Sequence, residues 1–223
     1  MPLQNRVDPF GELFADPARG TLMGNRGGRF HTQARTLTAR RWASRQWICC
    51  VLTFKGRHRD VRGRFYTELF FLDEPTALAA GHRPCFECRR QDAENFAEYW
   101  RRVRRGRQRP RAAEMDEVLH RERLQGRAKR RHRWRIDGLP DGAFMALNGA
   151  AFAVRGDTLL RWTPQGYDAR VPRPHGSMVD VLTPPAILGV LAAGYQPRWH
   201  RSAALTHFSP PGRGSKANLE TPP

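Results

Sequence analysis

Cysteine is scarce in this chain: four residues in 223, too few to hold together a disulfide-built secreted fold. Long apolar runs are missing too, since none approaches the ~18 residues needed to span a bilayer. Residues 1–8 contain no apolar stretch of the kind a secretory signal requires. The expectation is therefore a soluble cytoplasmic protein in a reducing compartment. Acidic residues are in deficit, with 21 Asp+Glu against 39 Lys+Arg and a net charge of +18. The glycine-rich Met23-Gly24-Asn25-Arg26-Gly27-Gly28 lacks the spacing and the lysine of a phosphate loop, so it reads as a sharp turn. There are no convincing internal repeats, and no Asp…Glu-x-Lys pattern of restriction-type nucleases.

What the chain has in excess is arginine. Arg bonds phosphate in a bidentate manner and stacks on bases, which Lys does less well. The charge is concentrated: residues 101–135 hold 15 basic and 4 acidic side chains, so 11 of the 18 net charges fall in 35 residues. Such a block reads as a phosphate-binding arm or helix. No amphipathic apolar stripe accompanies it, which argues against a membrane surface as its partner. The candidate nucleic-acid contacts are Arg101, Arg102, Arg104, Arg105, Arg127, Lys129, Arg130, Arg131 and Arg133. DNA-bound, the protein would associate with the nucleoid.

The second dense feature runs FFLDEPTALAAGHRPCFECR over residues 70–89. The small apolar run Ala77-Leu78-Ala79-Ala80 before Gly81 reads as a short helix with a glycine stop. It leads into a Cys-x-x-Cys knuckle, Cys85 and Cys88, which can supply half of a tetrahedral zinc site from one tight turn. The residues Phe70-Phe71, Ala77 to Gly81, Arg83-Pro84-Cys85, Cys88 and Arg89 resemble the end of the Ada-type metal-binding domain of DNA-repair proteins. That resemblance covers about twenty residues and implies a zinc site, DNA binding and a role in the response to DNA damage. The family's first thiol pair is spaced Cys-x3-Cys and provides its methyl acceptor. Here only the adjacent Cys49-Cys50 is available, so methyl transfer does not carry over. The Pro-Cys-His-Arg signature of other alkyl acceptors is likewise absent.

Cys49 and Cys50 lie in Trp47-Ile48-Cys49-Cys50-Val51-Leu52-Thr53-Phe54, a β-branched and aromatic run that reads as a strand. Successive strand side chains face opposite ways, so both thiols cannot reach one metal without a bulge. The expected site is three thiolates, Cys85, Cys88 and one of Cys49 or Cys50, with His82 or His58 as fourth ligand to a structural Zn2+. The alternative for the adjacent pair is a place in the core as small hydrophobes.

Residues 1–30 are rich in turn signals and read as loops. Strands are expected over 47–54 and 65–72, and a helix over 92–105 from the spacing of Phe96, Tyr99, Trp100 and Val103. A shorter helix is expected over 114–124. Strand-like runs at 143–147, 151–154 and 158–162, split by Asn148-Gly149 and Arg155-Gly156-Asp157, predict a β-meander. Residues 178–182 add a strand, and Pro184-Pro185 opens a helix that stops at Gly194. The fold class is α+β: a zinc-knuckle region over 1–100, a basic helical segment over 101–138, a β-rich region over 139–207 and a disordered tail over 208–223. Trp162, Tyr167 and Trp199 fit core packing better than base stacking.

The expected function is a zinc-containing nucleic-acid-binding protein, with DNA as the partner. Two other readings stay open. A DNA endonuclease would need Mg2+ and a base, with Glu68, placed among apolar residues, and His31, after the turn-rich stretch, as its catalytic pair. Glu68 could instead be one half of a structural ion pair with Arg64 or Arg41. The third reading is a structural zinc protein bound to ribosomal or messenger RNA.

Overall fold

The first half of the chain builds a mixed six-stranded sheet in which an unpromising glycine-containing stretch is the central strand. The computed structural model describes residues 1–57 and 60–204. Its first sheet contains β1 (Gln4–Val7), β2 (Leu13–Ala15), β3 (Leu22–Arg26), β4 (Trp47–Val51), β5 (Leu69–Phe71) and β6 (Arg83–Pro84), in the order β2-β1-β5-β3-β4-β6. Residues 22–26, expected to turn, instead pair with β4 on one side and β5 on the other. Gly24 is what permits this close pairing. A Cβ there would lie 2.1 Å from the Ile48 carbonyl oxygen and 2.8 Å from the Phe71 ring, so only glycine fits between the neighbouring strands. The turn itself comes later, at Gly27 with φ +76°.

Among the described residues four α-helices follow or flank the sheets: α1 (Glu74–Ala79), α2 (Arg90–Val103), α3 (Ala112–Arg123) and α4 (Pro185–Ala192). Asp73 caps α1, its carboxylate accepting from Thr76 N–H at 3.0 Å, and Pro75 stands in the first turn where its missing donor costs nothing. Gly81, at φ +87°, ends the helix as its sequence implied. Phe96 and Trp100 of α2, Met115 and Leu119 of α3, and Ile187 and Val190 of α4 meet in one buried cluster. Each such side chain stabilises the fold by about 1.5–3 kcal/mol on burial.

The second sheet is antiparallel throughout. It contains β9 (His132–Arg135), β10 (Phe144–Leu147), β11 (Ala150–Arg155), β12 (Thr158–Thr163), β13 (Gly166–Pro172) and β14 (Met178–Val181), in the order β13-β12-β11-β10-β14-β9. The expected meander is present and gains a fourth strand, β13. The architecture is α+β. The segment 101–138 is helical only in part: after α3 it forms a hairpin, β7 (Leu124–Gln125) with β8 (Ala128–Lys129), and then β9.

The two halves are stitched together at the start of α1. Asp73 accepts from the Tyr167 hydroxyl at 2.8 Å and from His200 N–H at 3.1 Å, while Trp162 Nε1–H donates to Thr76 Oγ1 at 3.1 Å. Trp199 packs against the Tyr167 ring at 5.8 Å. These three aromatics therefore serve the core. Glu74 accepts from the Tyr195 hydroxyl at 2.6 Å and pairs with Arg89 at 2.8 Å, both carboxylate and guanidinium being buried. The tail expected over 208–223 lies outside the described residues.

Candidate metal centre and basic groove

Strand pairing brings the thiols together. β6 runs parallel to β4 with Cys49 opposite Pro84, and Cys85 N–H donates to the Cys49 carbonyl at 3.0 Å. Alternation along β4 then sends the two adjacent cysteines to opposite sides. Cys50 points to the knuckle, and Cys50, Cys85 and Cys88 place their sulfurs within 4.8 Å of one another. Two sulfurs on one tetrahedral zinc stand about 3.8 Å apart, so small side-chain adjustments suffice to close three of them on a single ion. Cys88 lies just before the first turn of α2, and all four cysteines are free thiols.

The surroundings favour thiolate at Cys85. Glu87 N–H donates to Cys85 Sγ at 3.4 Å, the backbone-to-sulfur bond that a tight Cys-x-x-Cys turn provides. Within the trio, hydrogen bonding from the Cys50 thiol and then from Cys88 pulls the Cys85 thiol down to about 2, and the same contact with Cys85 pushes Cys50 up. The trio thus favours thiolate at Cys85 over Cys50 and Cys88, and a bound cation would favour it at all three. Met23, Ile48, Tyr66 and Phe70 pack around it. Among the described residues this trio is the group of His, Cys, Asp and Glu side chains close enough to share a metal.

Two residues expected at the centre are placed elsewhere. Cys49 faces the opposite side of the sheet, fully buried in the core with Leu69 and Phe71. Burial pushes its thiol up to about 12, against the pull of Arg89, whose Nη1 donates to Cys49 Sγ at 3.5 Å. His82, though three residues from Cys85, is held between Trp47 and Phe71 at ring distances of 5.0 and 4.7 Å, and its Nε2 accepts from Arg26 Nε at 3.4 Å. Burial first, then Arg26 and Arg123, push its pKa well down, so it is a neutral core imidazole. His58 lies outside the described residues.

The proposed nuclease pair is not assembled as a free acid and base. His31 is buried with both ring nitrogens engaged: Nε2–H donates to the Gly63 carbonyl at 3.1 Å and Nδ1 accepts from the Thr67 hydroxyl at 2.7 Å. Glu68 is buried and accepts from Arg62 N–H at 2.6 Å. Arg62 is also a neighbouring charge of this carboxylate.

The basic block divides in two. Arg101 and Arg102 share Glu98, Arg104 approaches Glu122 at 3.6 Å, Arg131 and Arg133 approach Asp180, and Arg105 and Arg130 are exposed. The exposed Arg127 and half-buried Lys129, by contrast, lie on the β7–β8 hairpin and help line a groove. Three cavities of about 200, 350 and 370 Å³ follow one another along it. The first and second share Arg41, Trp42 and Arg127; the second and third share Ala39 and Arg40. Arg26 and Arg123 stand at the first end, Arg29 and Phe30 at the third. Sequence reading found Arg127 and Lys129 but missed Arg26, Arg40, Arg41 and Trp42, which come from a strand and a loop distant in sequence. No family model matches the chain, and no curated protein or solved structure matches it.

Proposed function

We propose that the chain is a zinc-stabilised nucleic-acid-binding protein whose partner is DNA. The observation that carries this reading is the groove: arginines line it along its length, with the half-buried Trp42 among them. Arg29, Arg40, Arg41 and Arg127 line it with cations for a phosphate backbone, and Trp42 beside them offers a stacking surface. That combination suits single-stranded or locally opened nucleic acid, because every base offers a π face and every linkage a charge. Zinc held by Cys50, Cys85 and Cys88 would fix β4 to the start of α2, so its part is architectural. The resemblance of residues 70–89 to the Ada-type domain supports DNA over RNA and points to the DNA-damage response.

The test is a titration of fluorescent DNA and RNA of matched length across a salt series, with and without Mg2+. The proposal predicts tighter DNA binding, a log–log salt slope of several units, and intact DNA at the end. Stronger binding to RNA would replace DNA as the partner, and nicked product that depends on Mg2+ would replace the binding role with the nuclease. A flat salt dependence or no binding would remove the reading altogether.

A further inference from the structure

The first cavity holds a feature that general backbone binding does not require. Trp47 is buried and clamped between two guanidiniums, with the Arg26 and Arg123 Cζ atoms 4.0 and 3.9 Å from its ring centroid. Arg26 is 2% exposed and Arg123 0%. Their hydrogen bonds go to neutral acceptors. Arg26 donates to the Gly11 carbonyl at 2.8 Å and to His82 Nε2; Arg123 donates to the carbonyls of Gly81 at 2.9 Å and Arg45 at 2.8 Å and meets His120 Nδ1 at 3.1 Å. Arg123 Nε is buried with no hydrogen-bond partner among the described residues. Lys129, half-buried, donates to the Ala79 carbonyl beside them. Against these cations, and the rim residues Arg41 and Arg127, the lining offers one carboxylate, Glu12.

Burying more cations than carboxylates is costly, and the cluster shows it. Burial above all, with repulsion from neighbouring guanidiniums and against the pull of Glu12, Asp8 and Asp116, brings Arg26 down to about 9, Arg123 to about 8 and Lys129 to about 7. An entering anion offsets that cost. The volume, about 200 Å³, falls below the ~300–1,000 Å³ of pockets for whole cofactors, so the group is phosphate-sized. A phosphomonoester carries about −1.5 to −2 near neutral pH, whereas a phosphodiester within a strand carries one charge. Three clustered cations match the former better.

Resting on the nucleic-acid reading above, we propose that this cavity receives the terminal phosphomonoester of a DNA strand, held by Arg26, Arg123 and Lys129. Trp42, which the cavity shares with the next one along, lies under the first base. The strand's diesters then follow Arg41, Arg127 and Arg40 along the groove.

The test compares single-stranded oligonucleotides of about 12 nucleotides that differ only in carrying a 5′-phosphate, a 3′-phosphate or hydroxyl ends, read by fluorescence anisotropy. One phosphorylated end should bind about tenfold more tightly than the hydroxyl form. Inorganic phosphate should abolish that preference, as should Lys129→Gln, tested because removing Arg26 or Arg123 risks the fold; Arg127→Gln should weaken all three forms alike and leave the preference in place. In parallel, inorganic phosphate should raise the wild-type Tm beyond chloride at equal ionic strength, and the response should vanish in Lys129→Gln. Equal affinity for all three ends would overturn the terminal-phosphate assignment while leaving DNA binding intact. A phosphate-dependent Tm without oligonucleotide binding would assign the cavity to a small phosphate ester, overturning the strand and the DNA reading together. No phosphate response and no end preference would remove the anion site.

Discussion

Replacing Asp116 by Asn tests how the knuckle is anchored. Arg83, immediately before Pro84-Cys85, forms a two-pronged pair with Asp116 of α3: Nε to Oδ1 at 2.9 Å and Nη2 to Oδ2 at 2.7 Å. The side chains are only 5% and 3% exposed. Burial raises the Asp116 pKa despite Arg83, so desolvation outweighs the attraction between the partners. A pair of this kind adds little net stability, yet losing one member strands the other. Asp116→Asn keeps the shape and presents an amide to a buried guanidinium, at a cost of about 3–5 kcal/mol. With a urea m-value near ~3 kcal/mol/M, the unfolding midpoint should fall by roughly 1–1.7 M. The double variant Arg83→Met/Asp116→Leu should recover most of the loss. A midpoint shift under about 0.3 M for the single variant, or a double variant as unstable as the single, would refute this reasoning.

Other outcomes follow from the same structure. Gly24→Ala should destabilise by about 3 kcal/mol or more, read by thermal unfolding, because its Cβ would meet the Ile48 carbonyl at 2.1 Å in an interior strand. Arg40→Gln and Arg127→Gln should each weaken DNA binding and lower the salt slope by about one, measured by anisotropy across a salt series. Lys129 has its pKa lowered from 10.5 to about 7, by burial and by Arg26 and Arg123, with Asp8 opposing. Between those values the unfolded chain holds a proton that the folded chain has lost, so this residue makes stability rise with pH from about 7 to 10.5. Denaturant titrations at several pH values should show that rise in the wild type and a flatter profile in Lys129→Met.

The sequence was most legible where local chemistry decides structure. Helix α1 followed from its small residues and Gly81, α2 from the spacing of Phe96 and Trp100, and the meander from its Asn-Gly and Gly-Asp turns. The opposite facing of Cys49 and Cys50 followed from strand alternation alone, though which of them joined the knuckle depended on the β4–β6 register. Residues 22–26 misled because Gly24 and Asn25 carry turn propensity. Tertiary crowding between β4 and β5 makes glycine a requirement of the sheet instead. His82 misled for a related reason: nearness in sequence to Cys85 says nothing of direction, and the Trp47 and Phe71 rings hold it on the other side. The cation cluster could not be read at all. Arg26 comes from β3, Arg41 from a loop, Arg123 from the end of α3 and Lys129 from a hairpin, and only the packed structure brings them to one cavity.

The most direct test of the account is the zinc content of the purified protein beside its four single Cys→Ser variants. The account predicts about one equivalent in the wild type, retained in Cys49→Ser and lost in Cys50→Ser, Cys85→Ser and Cys88→Ser. Zinc that survives loss of Cys50, or departs with Cys49, would contradict the three-thiol centre.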